Sequence, residues 1–141
     1  MSEIEIDKTY IEKRVNDWIT RVKNLYSLTE KVAKNRGGIC HENGTVYMYE
    51  ELMKEFDVNP TQLPILNLCN KNDEKVATFR PIGLWVIGAN GRVDILTKNG
   101  AYILVDVTKT NFEKPNWQVY SPQDKKHGKK FDESFIAELV A

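Results

Sequence analysis

Two Asn-Gly dipeptides constrain the fold of this chain more than any other feature. Asn90-Gly91 and Asn99-Gly100 separate three runs that are rich in β-branched and aromatic residues. A type I′ turn needs positive φ at both central residues, and Asn followed by Gly meets that need at low steric cost. The stretch 83–109 is therefore predicted to be an antiparallel meander of hairpins.

The second strong signal is a long amphipathic helix from Lys8 to about Lys34. Its apolar residues recur at alternating spacings of four and three, and neighbouring residues broaden the seam into a wide stripe. The glycines after Arg36 end the helix with a left-handed cap. The seam consists of Ile11, Val15, Trp18, Val22, Leu25 and Val32. A stripe this wide is typical of a helix that packs on a sheet or on a second helix.

The remaining elements follow from turn, breaker and capping residues. They are a turn at 42–44, a strand at 45–49, a short helix at 50–57, an edge strand at 63–69 broken by Pro64, a strand at 75–82, a last strand at 116–121, a basic loop at 122–130, and a helix capped by Asp132. The predicted fold class is α+β, with the long N-terminal helix packed on an antiparallel β-meander of about five strands, a short middle helix and a C-terminal helix. We expect a single domain over 1–141, with 1–7 frayed.

Composition narrows the functional classes. The chain has 141 residues, with 20 basic and 20 acidic side chains, so no global field attracts nucleic acid or an anionic membrane. No apolar run approaches the roughly 18 residues that span a bilayer, and no secretory leader is visible. Cys40 and Cys69 are predicted to be free thiols of a reducing compartment. We therefore expect a cytoplasmic protein without a membrane partner.

The meander also carries a pattern that resembles metal-dependent nucleases of the PD-(D/E)xK type. Asp94 is followed twelve positions later by Asp106-Val107-Thr108-Lys109, although Lys109 stands one place late. If Asn99-Gly100 is a two-residue turn, Lys98 faces Ala101 and Asp94 faces Val105. Side chains alternate with period two, so Asp94 and Asp106 are predicted on opposite faces, where they cannot share a metal. A β-bulge between them would restore the alignment.

The same register predicts a sheet that is apolar on both faces, so that each face needs a cover. The long helix is a candidate for one face, and the C-terminal helix or a partner chain for the other. One face would carry Trp85, Ile87, Leu96, Ile103, Val105 and Val107, and the other Leu84, Val86, Val93, Ile95, Tyr102 and Leu104.

Basic clusters supply the candidate contact residues for nucleic acid or an acidic partner. The helix has a local excess of positive charge, and the 125–130 segment is the main basic run, with aromatic residues including Tyr120 nearby for base stacking. A solvated surface is the ordinary alternative. The candidates are Arg14, Arg21, Trp117, Lys125, Lys126, Lys129 and Lys130.

No spacing of catalytic or metal-binding residues stands out. Cys40, His41, Cys69 and His127 lack zinc-ligand spacing, and the glycines do not form a phosphate loop. The sequence predicts no catalytic residue, metal site or cofactor. It favours a small non-catalytic interaction or regulatory module, such as an accessory, inhibitor or antitoxin-like subunit, with a protein partner or self-association. The alternative is a nucleic-acid-binding or processing subunit, with a degenerate nuclease as its least favoured form.

Overall fold

A computed structural model describes residues 6–86, 89–108 and 114–141, and it has the predicted α+β architecture. The predicted frayed segment lies mostly outside these residues. The elements in chain order are α1 (Lys8–Asn35), β1 (Ile39–Met48), α2 (Glu51–Glu55), β2 (Thr61–Cys69), β3 (Lys75–Gly83), β4 (Arg92–Thr97), β5 (Gly100–Asp106), β6 (Trp117–Ser121), β7 (Asp124–Lys130) and α3 (Glu133–Val140).

Capping hydrogen bonds define both ends of helix α1. The Asp7 carboxylate accepts a hydrogen bond from the Tyr10 backbone N–H at 2.9 Å, which satisfies a donor in the first turn. At the other end, the Gly38 N–H donates to the Ala33 carbonyl at 2.8 Å and Gly37 adopts φ +79°. This is a Schellman motif, so the predicted glycine cap is confirmed.

The sheet is a single antiparallel meander of seven strands in chain order, two more than predicted. One difference lies in β1, which runs through the predicted turn as one strand with a register shift between Glu42 and Thr45. Gly44, at φ +82°, lies inside that irregularity. The predicted edge position of 63–69 is wrong, because β2 pairs with both β1 and β3. Pro64 is tolerated in β2 because it lies opposite Thr45, at the end of the bulge.

The second difference is β7. Its residues were predicted to be a basic loop, but they pair with β6 and form an edge of the sheet. The three predicted helices are present, and α2 is shorter than its predicted range of 50–57. The Asp132 side chain caps α3 by accepting from the Phe135 backbone N–H at 3.1 Å, as predicted.

The hairpin at Asn99-Gly100 is confirmed, with its turn displaced by one residue. Thr97 pairs with Gly100, and Asp94 therefore lies opposite Ile103 instead of Val105. The pairing partner changes by two positions, which leaves the face of every side chain unchanged. The predicted grouping of Val93, Ile95, Tyr102 and Leu104 on one face therefore agrees with the observed register.

The hairpin predicted at Asn90-Gly91 is wrong. Strand β3 ends at Gly83, and Thr78 to Pro81 pair directly with Leu96 to Val93, so Trp85 takes no part in that ladder. Ile87 lies outside the described residues. Gly91 has φ +118°, and a Cβ placed on it would lie 2.2 Å from a ring atom of Trp18. Gly91 therefore accommodates the buried indole of α1 instead of forming a hairpin turn.

The two faces of the sheet differ in what covers them. The inner face carries buried Phe79, Ile95 and Leu104, and both α1 and α3 pack on this side. On the outer face, Leu96 is 43% exposed, while Ile103 and Val105 are half-buried. The expectation that α3 could cover the second face is therefore wrong. Within the described residues, no helix is long and apolar enough to cross a membrane.

We expect Gly91→Ala to destabilise the protein by roughly 2–5 kcal/mol, from overpacking against Trp18 together with the cost of positive φ. Gly44→Ala is the matched control, because its φ is also positive but the nearest atom to a new Cβ is Ile65 Cδ1 at 3.9 Å. The control should lose only about 1–2 kcal/mol. Urea unfolding measures both, and equal losses would contradict the importance of the Trp18 contact.

Candidate functional site

The predicted contact residue Arg21 is buried and belongs to an ion pair between helix and sheet. Its guanidinium Nη1 lies 2.5 Å from Asp106 Oδ2, and its Nε lies 2.6 Å from Asp17 Oδ2. Asp106 is completely buried, at the end of β5. Burial and this pairing remove Arg21 from the set of residues that could reach a phosphate or an acidic partner.

The second oxygen of Asp106 organises the chain that follows β5. Asp106 Oδ1 accepts hydrogen bonds from the backbone N–H and the hydroxyl of Thr108, at 3.0 and 2.5 Å, and from the Asn116 N–H at 2.9 Å. The Asn90 side-chain amide donates to the Thr108 carbonyl. Both carboxylate oxygens are therefore used for structure, as buried charge requires.

This geometry excludes a shared metal for Asp94 and Asp106. The β4–β5 ladder runs without a register shift, so the bulge that would align the two residues is absent. Asp94 lies on the outer face, where Arg92 Nε donates to its Oδ1 at 2.7 Å. Asp106 points inward to Arg21. Lys109, the basic member of the suspected motif, lies outside the described residues.

Arg14 lies near the same end of the sheet and is half-buried. Its guanidinium carbon is 5.8 Å from the ring centroid of Trp85, and its nitrogens reach Asn90 Oδ1 and the Tyr10 hydroxyl at 3.5 Å. A guanidinium stacked on an indole in this way holds the loop after β3 against α1. Arg14 thus has a packing role that its sequence position did not reveal.

The two aromatic residues proposed for base stacking are occupied within the protein. Trp117 lies opposite Asp106 in the ladder, and its ring centroid is 6.0 Å from that of Trp18. The Tyr120 ring covers the backbone of Gly128, where an added Cβ would lie 2.8 Å from the ring. Trp117 therefore packs against the core beside Trp18, and Tyr120 lies against β7 while remaining partly exposed on the outer face of the sheet.

The four lysines of the basic run remain available. Lys125, Lys126, Lys129 and Lys130 lie on β7, and every residue of that strand is exposed. Lysine on an unpaired edge strand also protects a sheet from pairing with another chain. The structure therefore places these four lysines on one exposed edge strand, whereas Arg21 is buried and Arg14 is half-buried on α1.

Strand β7 and helix α3 border a cleft of about 470 Å³. At its rim, His127 Nδ1 lies 3.0 Å from Asp124 Oδ2, and hydrogen bonds from the Lys126 backbone and from His127 lower the pKa of Asp124. The His127 side chain is 82% exposed, and the Ser121 hydroxyl accepts from the Asp124 backbone N–H. A pair this open to water lacks the shielding that makes a His–Asp couple an effective base.

The two cysteines are free thiols, as predicted. Cys40 pairs with Leu68 on the inner face, where burial, assisted by Glu30 and Cys69, raises its pKa to about 11. Its thiolate, the nucleophilic form, is therefore scarce at neutral pH. Cysteine nucleophile chemistry finds no support at this position.

The outer face of the central strands was predicted as an apolar face, but its polar members were not predicted. Cross-strand pairing places ten side chains of β3 to β6 on it, none of them lysine or glutamate, and Lys130 of β7 lies beside them opposite Gln118. The ten are Thr78, Arg80, Arg92, Asp94, Leu96, Ala101, Ile103, Val105, Gln118 and Tyr120. The signal was present in the sequence as alternation, because Leu96, Ile103 and Val105 were predicted to share a face.

Comparisons with known proteins add no functional information. No protein-family model matches the chain, and no curated protein or solved structure matches it.

We expect Arg21→Met to destabilise the fold by about 3–5 kcal/mol, because it leaves the Asp106 carboxylate buried without its charged partner. Arg92→Met is the matched control, since it breaks an arginine–aspartate pair whose arginine side chain is 36% exposed. The control should lose no more than about 1 kcal/mol. Urea denaturation midpoints give both values, and a smaller loss for Arg21→Met than for the control would overturn this account of the buried pair.

Proposed function

We propose that the chain is a non-catalytic interaction or regulatory module that binds a partner protein, or a second copy of itself, through the outer face of its sheet. The observation that carries this proposal is the exposure of that face, since both α1 and α3 pack on the inner side. Leu96 remains 43% exposed beside Ile103 and Val105. These three side chains lie on one face of the adjacent strands β4 and β5, and aliphatic side chains grouped on a surface can mark a contact site.

The composition of the outer face supports a protein partner. Transient interfaces are only about as apolar as ordinary surface, but they are enriched in arginine and tyrosine and depleted in lysine and glutamate. The part of the outer face formed by β3 to β6 matches that pattern, with Arg80, Arg92 and Tyr120 around an aliphatic centre, and the nearest lysine is Lys130 at its margin. Its backbone hydrogen bonds are satisfied within the sheet, so side chains would supply the contacts.

A variant of the most exposed aliphatic residue tests the proposal. We expect Leu96→Lys to reduce partner capture at least about tenfold, because a charge is placed where apolar surface is buried. Tyr47→Lys is the matched control, since Tyr47 is 65% exposed but lies on the edge strand β1. Affinity capture from host lysate with quantitative mass spectrometry compares the three proteins.

Sedimentation of the purified chain separates the two kinds of partner. If the chain pairs with itself, Leu96→Lys lowers the apparent mass at a given concentration while Tyr47→Lys does not. Equal capture by all three proteins, with no change in mass, would contradict a role for the outer face.

A second candidate, nucleic-acid binding, is favoured by one observation: β7 presents four exposed lysines on a free sheet edge. Electrostatic binding of this kind would weaken steeply with salt, with a log–log slope of about 0.9 for each duplex phosphate contacted. Fewer residues support nucleic-acid binding than the sequence predicted. Arg21 is buried in its ion pair with Asp106, and Trp117 packs against Trp18.

We expect a combined Lys→Gln variant at positions 125, 126, 129 and 130 to abolish any salt-dependent retardation of nucleic-acid probes. The matched control replaces four exposed lysines elsewhere, at positions 54, 71, 75 and 98, and so has the same net charge. Binding isotherms between low and moderate salt, on single- and double-stranded probes, measure the slope. No retardation by the unmodified protein, or equal loss in both variants, would exclude a specific role for β7.

A further inference from the structure

Three metal-ligating side chains meet where β1, β2 and the β2–β3 turn come together. His41 belongs to β1, Cys69 is the last residue of β2, and Asp73 lies in the turn before β3. Each residue offers one ligand atom, and the three atoms lie within 4.8 Å of one another. They are an imidazole nitrogen, the thiol sulfur and a carboxylate oxygen. These residues are separate from the lysines of β7 and from the central outer face.

The strand register explains why His41 and Cys69 approach each other. Ile39 pairs with Cys69 and His41 pairs with Asn67, without a register shift between them. Cys69 and His41 are therefore diagonal neighbours on one face, a separation that long side chains bridge. Cys40, the intervening residue, points to the opposite face beside Leu68, so the two thiols are on different sides of the sheet.

The turn that carries Asp73 is held in place before any ion binds. Asn70 Oδ1 accepts from the N–H groups of Asn72 and Glu74, at 2.9 and 3.0 Å. The Asp73 N–H donates to the Asn70 carbonyl at 3.0 Å, and Asp73 has φ +61°. Aspartate tolerates this left-handed conformation better than most residues. A fixed turn lowers the entropic cost of bringing the carboxylate to the other two ligands.

The mixture of donor atoms selects the class of ion. Calcium and magnesium take oxygen ligands almost exclusively, whereas a thiolate with an imidazole suits zinc and related transition metals. In a tetrahedral zinc site, bonds of about 2.0–2.3 Å place the ligand atoms about 3.3–3.8 Å apart. The observed 4.8 Å limit is close to this range. The side chains of His41 and Asp73 are exposed, so small rotations can bring their ligand atoms to the shorter separation that a tetrahedral site needs.

We propose that His41, Cys69 and Asp73 bind one zinc ion, with the fourth coordination position open to water. Cys69 binds as the thiolate and releases its proton to solvent, and His41 binds as the neutral imidazole. Because the ligands come from β1, β2 and the β2–β3 turn, the ion ties the edge strand β1 to its neighbour.

Cobalt substitution tests the site on the metal-stripped, reduced 141-residue chain. We expect one Co²⁺ per chain to bind, with a thiolate-to-cobalt charge-transfer absorption that Zn²⁺ then abolishes. His41→Ala, Asp73→Asn and Cys69→Ser should each weaken Zn²⁺ binding at least about tenfold, since even indirect supports of metal ligands contribute that much. Cys69→Ser should in addition remove the charge-transfer absorption.

Cys40→Ser is the matched control, because its thiol lies on the other face of the sheet. It should bind Zn²⁺ and Co²⁺ as the unmodified protein does. His41 and Asp73 are exposed, so their variants retain the apolar core and keep the test valid even where Cys69→Ser fails to fold. Absence of the charge-transfer absorption in the unmodified protein, or Zn²⁺ binding that none of the three variants weakens, would overturn the proposal.

Discussion

The ion pair between Arg21 and Asp106 fixes how the long helix lies on the sheet, and much of the molecule depends on it. The two residues are 85 positions apart in the chain and both are buried. Asp106 also binds the backbone of Thr108 and Asn116, so one carboxylate sets the helix position and the path of the chain after β5. A buried ion pair adds little stability compared with a well-packed pair of apolar side chains of similar volume. It does, however, disfavour other positions of the helix, because these would leave a buried charge without its partner. Its role here is to specify one docking of α1.

Sequence reasoning recovered the parts of the fold that local chemistry determines. The C-terminal cap of α1 and the N-terminal cap of α3 were predicted from Gly37 and Asp132, which act within a few residues, whereas Asp7, which caps the start of α1, had been assigned to the frayed segment. The faces of β4 and β5 were also predictable, although the turn was displaced, because a register change of two residues preserves alternation. The predictions failed where the local conformation depends on a residue that is distant in the sequence. Gly91 leaves room for the Trp18 ring, and no local sequence signal distinguishes this role from that of a glycine in a hairpin turn.

The candidate site residues were also predicted poorly where distant contacts determine their surroundings. Arg21 was taken for a surface cation because charged helix residues usually are exposed, although its spacing from Trp18 and Leu25 places it on the buried stripe. Strand β7 was missed because a lysine-rich run has no apolar alternation, and only pairing with β6 makes it a strand. The grouping of His41, Cys69 and Asp73 depends on the β1–β2 register and on the conformation of a turn. Residue spacing alone does not contain that information.

The order of the strands has a consequence for how the molecule assembles. Every strand pairs only with its neighbours in the chain, so the sheet forms through short loop closures that carry a small entropic cost. The docking of α1 closes a much longer loop, since Arg21 must find Asp106 after five strands have been made. Local contacts form early and distant ones late when loop closure limits the rate. Release of α1 from the sheet would therefore uncover the apolar inner face, whose strands no other long helix of the described chain covers.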